Sequence, residues 1–423
     1  MGLNWPQRAA APVTATESCG SASPSLVSFE QAQALMATYG SPLYVYRGDR
    51  LQQTIRRITQ AVPYPHIHFH FASVTNGNVY LLQRFRQAGW GLHANTPGDM
   101  YLGLQAGFRP DQIVYSGSNL SRAEMQQALA WGIATFNWDS LAQLQLFCDV
   151  YQAAGDRPAP RLGLRLNLPA LTGDSRIGVP PADFAAATRL ADAQGLSLSG
   201  LHFYRGTGTN ATRAFTQVIE AVLAVGQQLS DWAYLDFGGG FGYPYRPGGA
   251  AFSWEDFGHE LTRQLAQQDR PVELLIEPGR AAIAGCATLL AEVIAVKWQG
   301  KKQIVGVNTT VANLSVPSVH GGYREIVPLR SPTLATDGLQ YATDVCGNTT
   351  YSRDYLGRNC PLPALQPGDL VAILAVGAYG YAMSSHFLHR PRPAEVWVEG
   401  QTQRLIRQRE DYSTLLTHQV FEP

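Results

Sequence analysis

The sequence predicts an α/β protein in which a (β/α)8 barrel precedes an all-β domain, and three observations support this prediction. At 423 residues the chain exceeds what one compact core usually holds. From about residue 42 to residue 282, short apolar runs alternate with longer helical patterns, as in parallel α/β folds. Beyond residue 288 the chain is rich in Val, Thr and Tyr and is punctuated by Gly and Pro, which is typical of strands and turns.

Eight strand-like runs account for the barrel. They are "HIHFHFASV", "WGLHANT", "QIVYSG", "ATFNW", "RLGLRLNL", "LSGLHFYRG", "AYLDFGGGFG" and "VELLIEPGR". A helical pattern such as "GNVYLLQRFRQAG" or "SLAQLQLFCDVYQAAG" separates each run from the next. Eight such units predict a closed barrel, whose functional groups gather at the C-terminal ends of the strands.

The domain boundaries follow from these patterns. Residues 1–30 are rich in Ala, Ser, Thr and Pro and predict a mobile N-terminal arm. Residues 31–48, with the run "PLYVY", predict a strand segment that joins the β domain. The barrel is expected over residues 49–287 and the β domain over residues 288–423.

Composition excludes several classes of function. The net charge is zero, so the sequence lacks the basic surface expected of a nucleic-acid-binding protein. The N-terminus has no basic segment followed by an apolar core, and no membrane partner is expected. Five widely spread cysteines without a metal-ligand spacing suit a reduced cytoplasmic interior. The three lysines, Lys297, Lys301 and Lys302, all lie in "VIAVKWQGKKQIVGV", which predicts a β-hairpin.

Two strand ends carry candidate binding residues. Gly238, Gly239 and Gly240 follow a strand and would let backbone N–H groups approach an anion such as phosphate. A tight turn without a ligand explains the glycines equally well. Glu277 and Arg280 flank Pro-Gly at another strand end, where they form either part of a binding site or a surface ion pair.

The histidines of the first barrel strand alternate along the chain. His66, His68 and His70 therefore share one face, and Val74 lies on the same face. Residues two apart on a strand are too distant to bind one ion comfortably, so metal binding by this trio is disfavoured.

The ordered motifs resemble the fold-type III pyridoxal-phosphate (PLP) decarboxylases, the diaminopimelate, ornithine and arginine decarboxylase group, and most of all its diaminopimelate branch. The motifs run in family order from "SPLYVY" through "LHFYRGTG", "LDFGGGFG", "EPGR", "YREIVPL" and "GAYGYAMSS" to "RPRPAEV". The resemblance implies an alanine racemase-like barrel with a β domain and a PLP phosphate site. It implies that this site is formed by Gly238, Gly239, Gly240, Arg280, Thr207 and Tyr379, and that Glu277 faces the pyridine nitrogen.

The same resemblance shows specific departures. The family strand reads roughly Tyr-Ala-Val-Lys-Ala-Asn-x-Asn, and "FASVTNGN" aligned on Asn76 and Asn78 places Val74 at the lysine that binds the cofactor covalently. The histidine that stacks on the cofactor ring aligns with Tyr204, and an acidic residue near the lysine aligns with His93. The remaining departures are Thr350 and Tyr351 in place of the Cys-Glu segment that contains a catalytic cysteine, and Val316 in place of the arginine that binds the distal carboxylate of diaminopimelate.

Three hypotheses follow. The first is a small-molecule enzyme, acting on an amino acid or a related compound, that holds PLP or another phosphorylated ligand noncovalently. Its candidate catalytic residues are His70, His93, Tyr204, Thr350 and Tyr351, and its candidate substrate-binding residues are Val74, His202, Val316 and His320. The second is a pseudoenzyme that pairs with an active paralogue. The third is a metal-dependent enzyme that uses His70, His93 and His202.

The family resemblance also implies a homodimer with shared active sites. In that arrangement Thr350, Tyr351 and Tyr379 would enter the barrel mouth of the neighbouring subunit. The partner of the site itself is a small-molecule substrate.

Overall fold

Eight parallel strands close into a barrel in the computed structural model, which describes residues 27–155, 157–206, 208–330 and 338–422. The barrel strands are β2 (Ile67–Ala72), β3 (Gly91–Ala94), β4 (Ile113–Tyr115), β5 (Thr135–Trp138), β6 (Arg161–Arg165), β7 (Leu198–His202), β8 (Tyr234–Asp236) and β9 (Glu273–Ile276). β2 pairs with β9 in parallel register, which closes the ring. The predicted (β/α)8 fold is therefore confirmed.

Helices connect the barrel strands on the outside. They are α2 (Gly48–Gln60), α3 (Val79–Gln87), α4 (Pro97–Gln105), α5 (Arg122–Ala130), α6 (Leu141–Ala153), α7 (Pro169–Thr172), α8 (Phe184–Asp192), α9 (Thr212–Thr216), α10 (Ile219–Gly226), α11 (Trp254–Leu265) and α12 (Arg280–Ile283). Thr96 and Ser121 each form a capping box, with Asp99 and Glu124 respectively, and so fix where α4 and α5 begin. These short polar caps end the loops that follow β3 and β4.

A mixed sheet of nine strands forms the second domain. Its strands are β1 (Leu43–Arg47), β10 (Ala287–Gln299), β11 (Lys302–Val307), β12 (Ile326–Leu329), β13 (Tyr341–Cys346), β14 (Tyr355–Leu362), β15 (Leu370–Leu374), β16 (Ala394–Glu399) and β17 (Thr402–Arg407). β1 lies between β10 and β16, antiparallel to the first and parallel to the second. The short helix α13 (Val316–Val319) follows β11.

The N-terminal region differs from the expectation. Residues 1–26 of the expected arm lie outside the described residues, and the boundary expected at residue 30 falls inside the helix α1 (Phe29–Tyr39). Within residues 31–48, the expected strand that joins the β domain is β1, but residues 31–39 belong to α1 and not to a strand. Ser28 caps this helix by accepting a hydrogen bond from the Gln31 N–H, and Ala32 and Leu35, three residues apart, are buried.

All three lysines lie in the hairpin formed by β10 and β11. Gly300 (φ 59°) forms the turn with Lys301, and Lys302 pairs with Asp344 at 2.7 Å. Four cysteines in the described residues, Cys148, Cys286, Cys346 and Cys360, are free thiols. None of the helices in these ranges combines the length and apolar character that crossing a bilayer requires.

A buried carboxylate joins the two domains. Glu395 on β16 is fully buried and accepts hydrogen bonds from Tyr46 Oη (2.6 Å), from Asn78 Nδ2 (2.8 Å) and from Arg407 Nε. Asn76 donates to Tyr46 Oη at 3.0 Å and to the Gly377 carbonyl at 3.1 Å. The loop after β2 is therefore fixed to the β domain on both sides of Gly77.

We expect Glu395→Ala to lower the free energy of unfolding by about 3–5 kcal/mol, because it leaves the Arg407 guanidinium and the Tyr46 hydroxyl without their buried partner. Thermal unfolding followed by circular dichroism measures this as a lower Tm. The exposed Asp269→Asn serves as control and should leave Tm unchanged. Equal Tm values for the Glu395 variant and the wild type would contradict the assigned role.

Candidate active site

A cavity of about 260 Å³ opens at the C-terminal ends of the barrel strands. Its lining brings together most of the residues singled out in the sequence: Val74, His93, His202, Tyr204, Gly239, Gly240, Glu277, Arg280 and Tyr379. These residues come from the ends of β2, β3, β7, β8 and β9 and from the β domain. The placement agrees with the rule that barrel enzymes work at this face.

One end of the cavity offers hydrogen-bond donors. The backbone N–H groups of Gly239 and Gly240 form no hydrogen bond with another described residue. Gly240 has φ +94°, and a Cβ there would lie 2.2 Å from the Gly206 carbonyl oxygen, so only glycine suits this close approach of two loops. Gly238 lies just behind and donates its N–H to Asp236 at 3.0 Å. Thr207 falls outside the described residues.

Arg280 and Tyr379 complete this donor end. The Arg280 guanidinium lies 4.9 Å from the Tyr379 ring centroid and donates to Tyr245 Oη at 3.3 Å. No carboxylate of the described residues forms an ion pair with Arg280, so the alternative of a surface ion pair with Glu277 is wrong. Tyr379 has φ 59°, unusual for a side chain of this size, and its N–H donates to the Thr75 carbonyl at 2.9 Å. This bond ties the tyrosine to the loop that carries Val74.

The floor of the cavity is a buried acid pair beside two imidazoles. Glu277 Oε1 lies 3.2 Å from His93 Nε2, and Glu277 Oε2 lies 3.6 Å from His202 Nε2. Neither contact has hydrogen-bond geometry, so Glu277 Oε1 and both Nε2 atoms have no hydrogen-bond partner among the described residues. Buried polar atoms without partners are rare in folded proteins and indicate a position where a ligand completes the network.

Burial sets the protonation of this floor. It lowers the pKa of His202 to about 4 and the pKa of His93 well below its ordinary value, so both imidazoles are neutral near pH 7. Burial also raises the pKa of Glu277 to about 7 and the pKa of Asp236 well above its ordinary value. The two oxygens of Asp236 accept hydrogen bonds from the Gly238 N–H and from Asn137 Nδ2.

Sequence reasoning missed Arg165 and Asn95, which line the same cavity. Arg165 ends β6, and its guanidinium lies 5.1 Å from the Tyr204 ring centroid without an ion pair among the described residues. A polar residue at the C-terminal end of a barrel strand is the signal that would have identified it.

Five candidate residues lie away from the cavity. His70 is buried against Gly91. It precedes Ala72 by two residues on β2, and Ala72 lines the cavity. Because inward-facing side chains of a barrel strand stack in successive layers, His70 belongs to the layer beneath the cavity. The other four, Thr350, Tyr351, Val316 and His320, belong to the β domain of the same chain, where Thr350 and His320 are exposed. Their place in a shared site stays a proposal about a dimer.

The three histidines of the metal hypothesis do not form a ligand set. Among the described residues the group with suitable donor atoms is His202, Asp236 and Glu277, within 4.8 Å of one another. Only His202 belongs to both sets. Because both oxygens of Asp236 already accept hydrogen bonds, this group is better explained as a hydrogen-bonded floor than as a metal site.

Comparison with known proteins gives consistent matches. The family model described as "Pyridoxal-dependent decarboxylase, pyridoxal binding domain" matches residues 49–284. The diaminopimelate decarboxylase of Methanothermobacter thermautotrophicus is 30% identical over 412 residues, which covers 93% of this chain and 95% of that protein. The enzyme of the same name from Vibrio cholerae is 31% identical and covers 89% of this chain and 92% of its own.

Solved structures agree with these matches. The crystal structure of diaminopimelate decarboxylase from Helicobacter pylori complexed with L-lysine superposes with a TM-score of 0.81 at 26% identity. That match covers 91% of this chain and 98% of the other. The similarity spans both domains, so the barrel and the sheet share their arrangement with this relative.

The raised pKa of Glu277 makes stability depend on pH. Between its ordinary value of 4.5 and about 7, the folded protein keeps a proton that the unfolded chain loses, so this group's contribution to stability is full below pH 4.5 and is lost as the pH rises towards 7. Glu277→Gln removes this titration. As the pH rises from 4.5 to 8, we expect the free energy of unfolding of the variant to increase by up to about 3 kcal/mol relative to that of the wild type.

Thermal unfolding at a series of pH values measures this effect as a widening Tm difference between the variant and the wild type. The exposed Glu255→Gln provides the matched control and should give a constant difference. A Glu277→Gln curve that runs parallel to the wild-type curve would show that the carboxyl titrates normally.

Proposed function

The chain belongs to the pyridoxal-dependent decarboxylase family, and from that membership we propose that it is a small-molecule enzyme that holds its cofactor noncovalently. The cofactor is PLP or another phosphorylated ligand, and the substrate is an amino acid or a related compound. The single observation that carries the proposal is a barrel-mouth cavity that keeps a donor-rich end and a buried carboxylate but contains no lysine.

The donor end suits a phosphate group. Donors and one positive charge come from the N–H groups of Gly239 and Gly240 and from the Arg280 guanidinium, which forms no ion pair among the described residues. The Tyr379 hydroxyl belongs to the same wall. These groups would bind a phosphate dianion without any covalent bond to the protein.

The floor suits the opposite end of the cofactor. Bound PLP supplies an electron-withdrawing pyridine ring that stabilises negative charge at the carbon beside an amino group. Glu277 is the acid that would accept a hydrogen bond from the ring nitrogen, and Asp236, whose pKa burial raises, lies beside it. His93 and His202, both neutral, would hold or move a proton at the Glu277 carboxylate.

The substrate would lie beside Val74. Its side chain is 44% exposed and lines the cavity, at the position that the family resemblance gives to the lysine. Arg165, without an ion pair among the described residues, offers a cation for a substrate carboxylate. Val316 is buried and apolar, which argues against recognition of a second, distal carboxylate of the kind that diaminopimelate carries.

Restoring a lysine provides the sharpest test. In wild-type protein, PLP should change the absorbance spectrum but should be removed by gel filtration after borohydride treatment. We expect Val74→Lys to retain PLP covalently after borohydride, because the new amine would lie beside the bound aldehyde. Mass spectrometry of the reduced protein should find the adduct on residue 74.

The control for this test is Val319→Lys, which places a lysine at a similarly exposed valine outside the cavity. It should gain no adduct at residue 319 under limiting PLP. Equal labelling of the two introduced lysines would contradict a specific cofactor site at the barrel mouth.

A second prediction concerns the phosphate end. Arg280→Gln should weaken PLP binding about 10- to 100-fold, because it removes the positive charge that faces the phosphate. The dissociation constant can be measured by titration of tryptophan fluorescence. The exposed Arg213→Gln should bind as the wild type does, and unchanged affinity in Arg280→Gln would show that PLP binds elsewhere.

A second function, a pseudoenzyme subunit that pairs with a lysine-bearing relative, is favoured by an exposed aromatic contact. Phe387 is 51% exposed and packs edge-to-face on Tyr351 at 5.4 Å between ring centroids. The family resemblance implies that Tyr351 lies against another subunit, and Phe387 packs on it. This function requires an interface but no turnover by the chain itself.

Sedimentation of the wild type and of Phe387→Glu tests the interface. We expect the wild type to form a homodimer and the variant to shift towards monomer, because a buried charge at the contact is unfavourable. Arg353→Gln, also exposed in the β domain, is the control. A wild type that is monomeric at every concentration would exclude the shared-site arrangement.

A further inference from the structure

A second cavity, of about 430 Å³, lies in the β domain between α13 and the start of β14. It shares no lining residue with the cavity at the barrel mouth. Four arginines line it, Arg246, Arg324, Arg353 and Arg358, and none of its lining residues is acidic. We call it the arginine cavity.

Arg324 is the unusual member of this set. Its side chain is almost fully buried, with the residue only 2% exposed. One terminal nitrogen donates to the Tyr323 carbonyl at 2.7 Å, but Nε and the other terminal nitrogen have no hydrogen-bond partner in the part of the chain that the structure describes. A buried guanidinium with unpaired N–H groups is unfavourable unless an anion or water accepts from it.

Aromatic rings hold three of the guanidinium groups in place. Arg324 lies 3.8 Å from the ring centroid of Tyr245, Arg246 lies 4.3 Å from that of Tyr323, and Arg358 lies 3.7 Å from that of Tyr355. A cation–π contact engages the face of the guanidinium plane and leaves its N–H edges available. The charges are thus ordered without being neutralised.

The nearest carboxylates are engaged otherwise. Asp354 follows Arg353 but accepts from Thr310 Oγ1 and from the Val311 N–H. Glu325 follows Arg324, lines a different cavity, and has its pKa raised by burial. None of the four arginines forms an ion pair with any carboxylate in the described ranges.

We propose that the arginine cavity binds a small organic anion with at least two carboxylate or phosphate groups, one of which accepts hydrogen bonds from the Arg324 guanidinium. Four cations around one cavity favour a ligand with several negative charges over a single carboxylate. The volume is within the range of sites for small molecules. The inference is independent of the function proposed for the barrel mouth.

Isothermal titration of the full-length protein with citrate and with pyrophosphate tests this proposal at low ionic strength. We expect one or both to bind with Kd below about 1 mM, while acetate at the same concentrations shows no binding. Binding of citrate but not of pyrophosphate would identify a polycarboxylate site. Binding of pyrophosphate but not of citrate would identify a phosphate site. No binding of either anion would overturn the proposal.

Variants locate the binding. Arg353→Gln and Arg358→Gln, both at exposed positions, should each weaken the affinity about tenfold, and Arg324→Gln should weaken it at least as much. If Arg324→Gln fails to fold, the two exposed positions carry the test. The control Arg213→Gln should bind as the wild type does, and any anion binding that only Arg280→Gln weakens belongs to the barrel mouth.

Two results would contradict the assignment. An affinity that falls equally in Arg213→Gln would indicate nonspecific attraction to positive charge. An affinity that falls in Arg280→Gln but not in the Arg353 and Arg358 variants would place the anion at the barrel mouth.

Discussion

The hydrogen bonds to the buried Glu395 carboxylate hold the structure in its working arrangement. They connect β1, the loop after β2 and β17 through Tyr46, Asn78 and Arg407. Because that loop also accepts the Tyr379 N–H, the cavity receives one wall from the β domain and the others from the barrel. The positions of Val74 and Tyr379 at the barrel mouth therefore depend on these contacts between the domains.

Within the loop after β2, different residues fix the loop and line the cavity. Asn76 and Asn78 bind the β domain, and Asn78 also caps α3, whereas Val74 lines the cavity and contributes to neither contact. Exchange of the residue at position 74 alters the chemistry of the cavity but leaves the loop fixed. These contacts explain why "NGN" is needed for the fold whichever residue stands at position 74.

The sequence predicted the barrel and the place of Gly239 and Gly240 at its mouth, because the alternation of strands and helices and the Gly238–Gly240 run are local patterns. It could not show the depth of His70, which depends on how inward-facing side chains stack in layers once the barrel closes. It also could not pair Arg324 with Tyr245, since these residues are far apart in the chain and meet only in the folded structure. The proposed role of Thr350 and Tyr351 requires a second subunit. The helix α1 was missed because the strand-like run "PLYVY" was extended over all of residues 31–48.

The confinement of all lysines to the β10–β11 hairpin has a practical consequence. Apart from the α-amino group, every primary amine of the chain lies in the β10–β11 hairpin, and none lines either cavity. Reagents that acylate amines would attach dyes, spin labels or a sensor surface at this hairpin. The protein can therefore be anchored in a nearly uniform orientation with both cavities chemically unmodified.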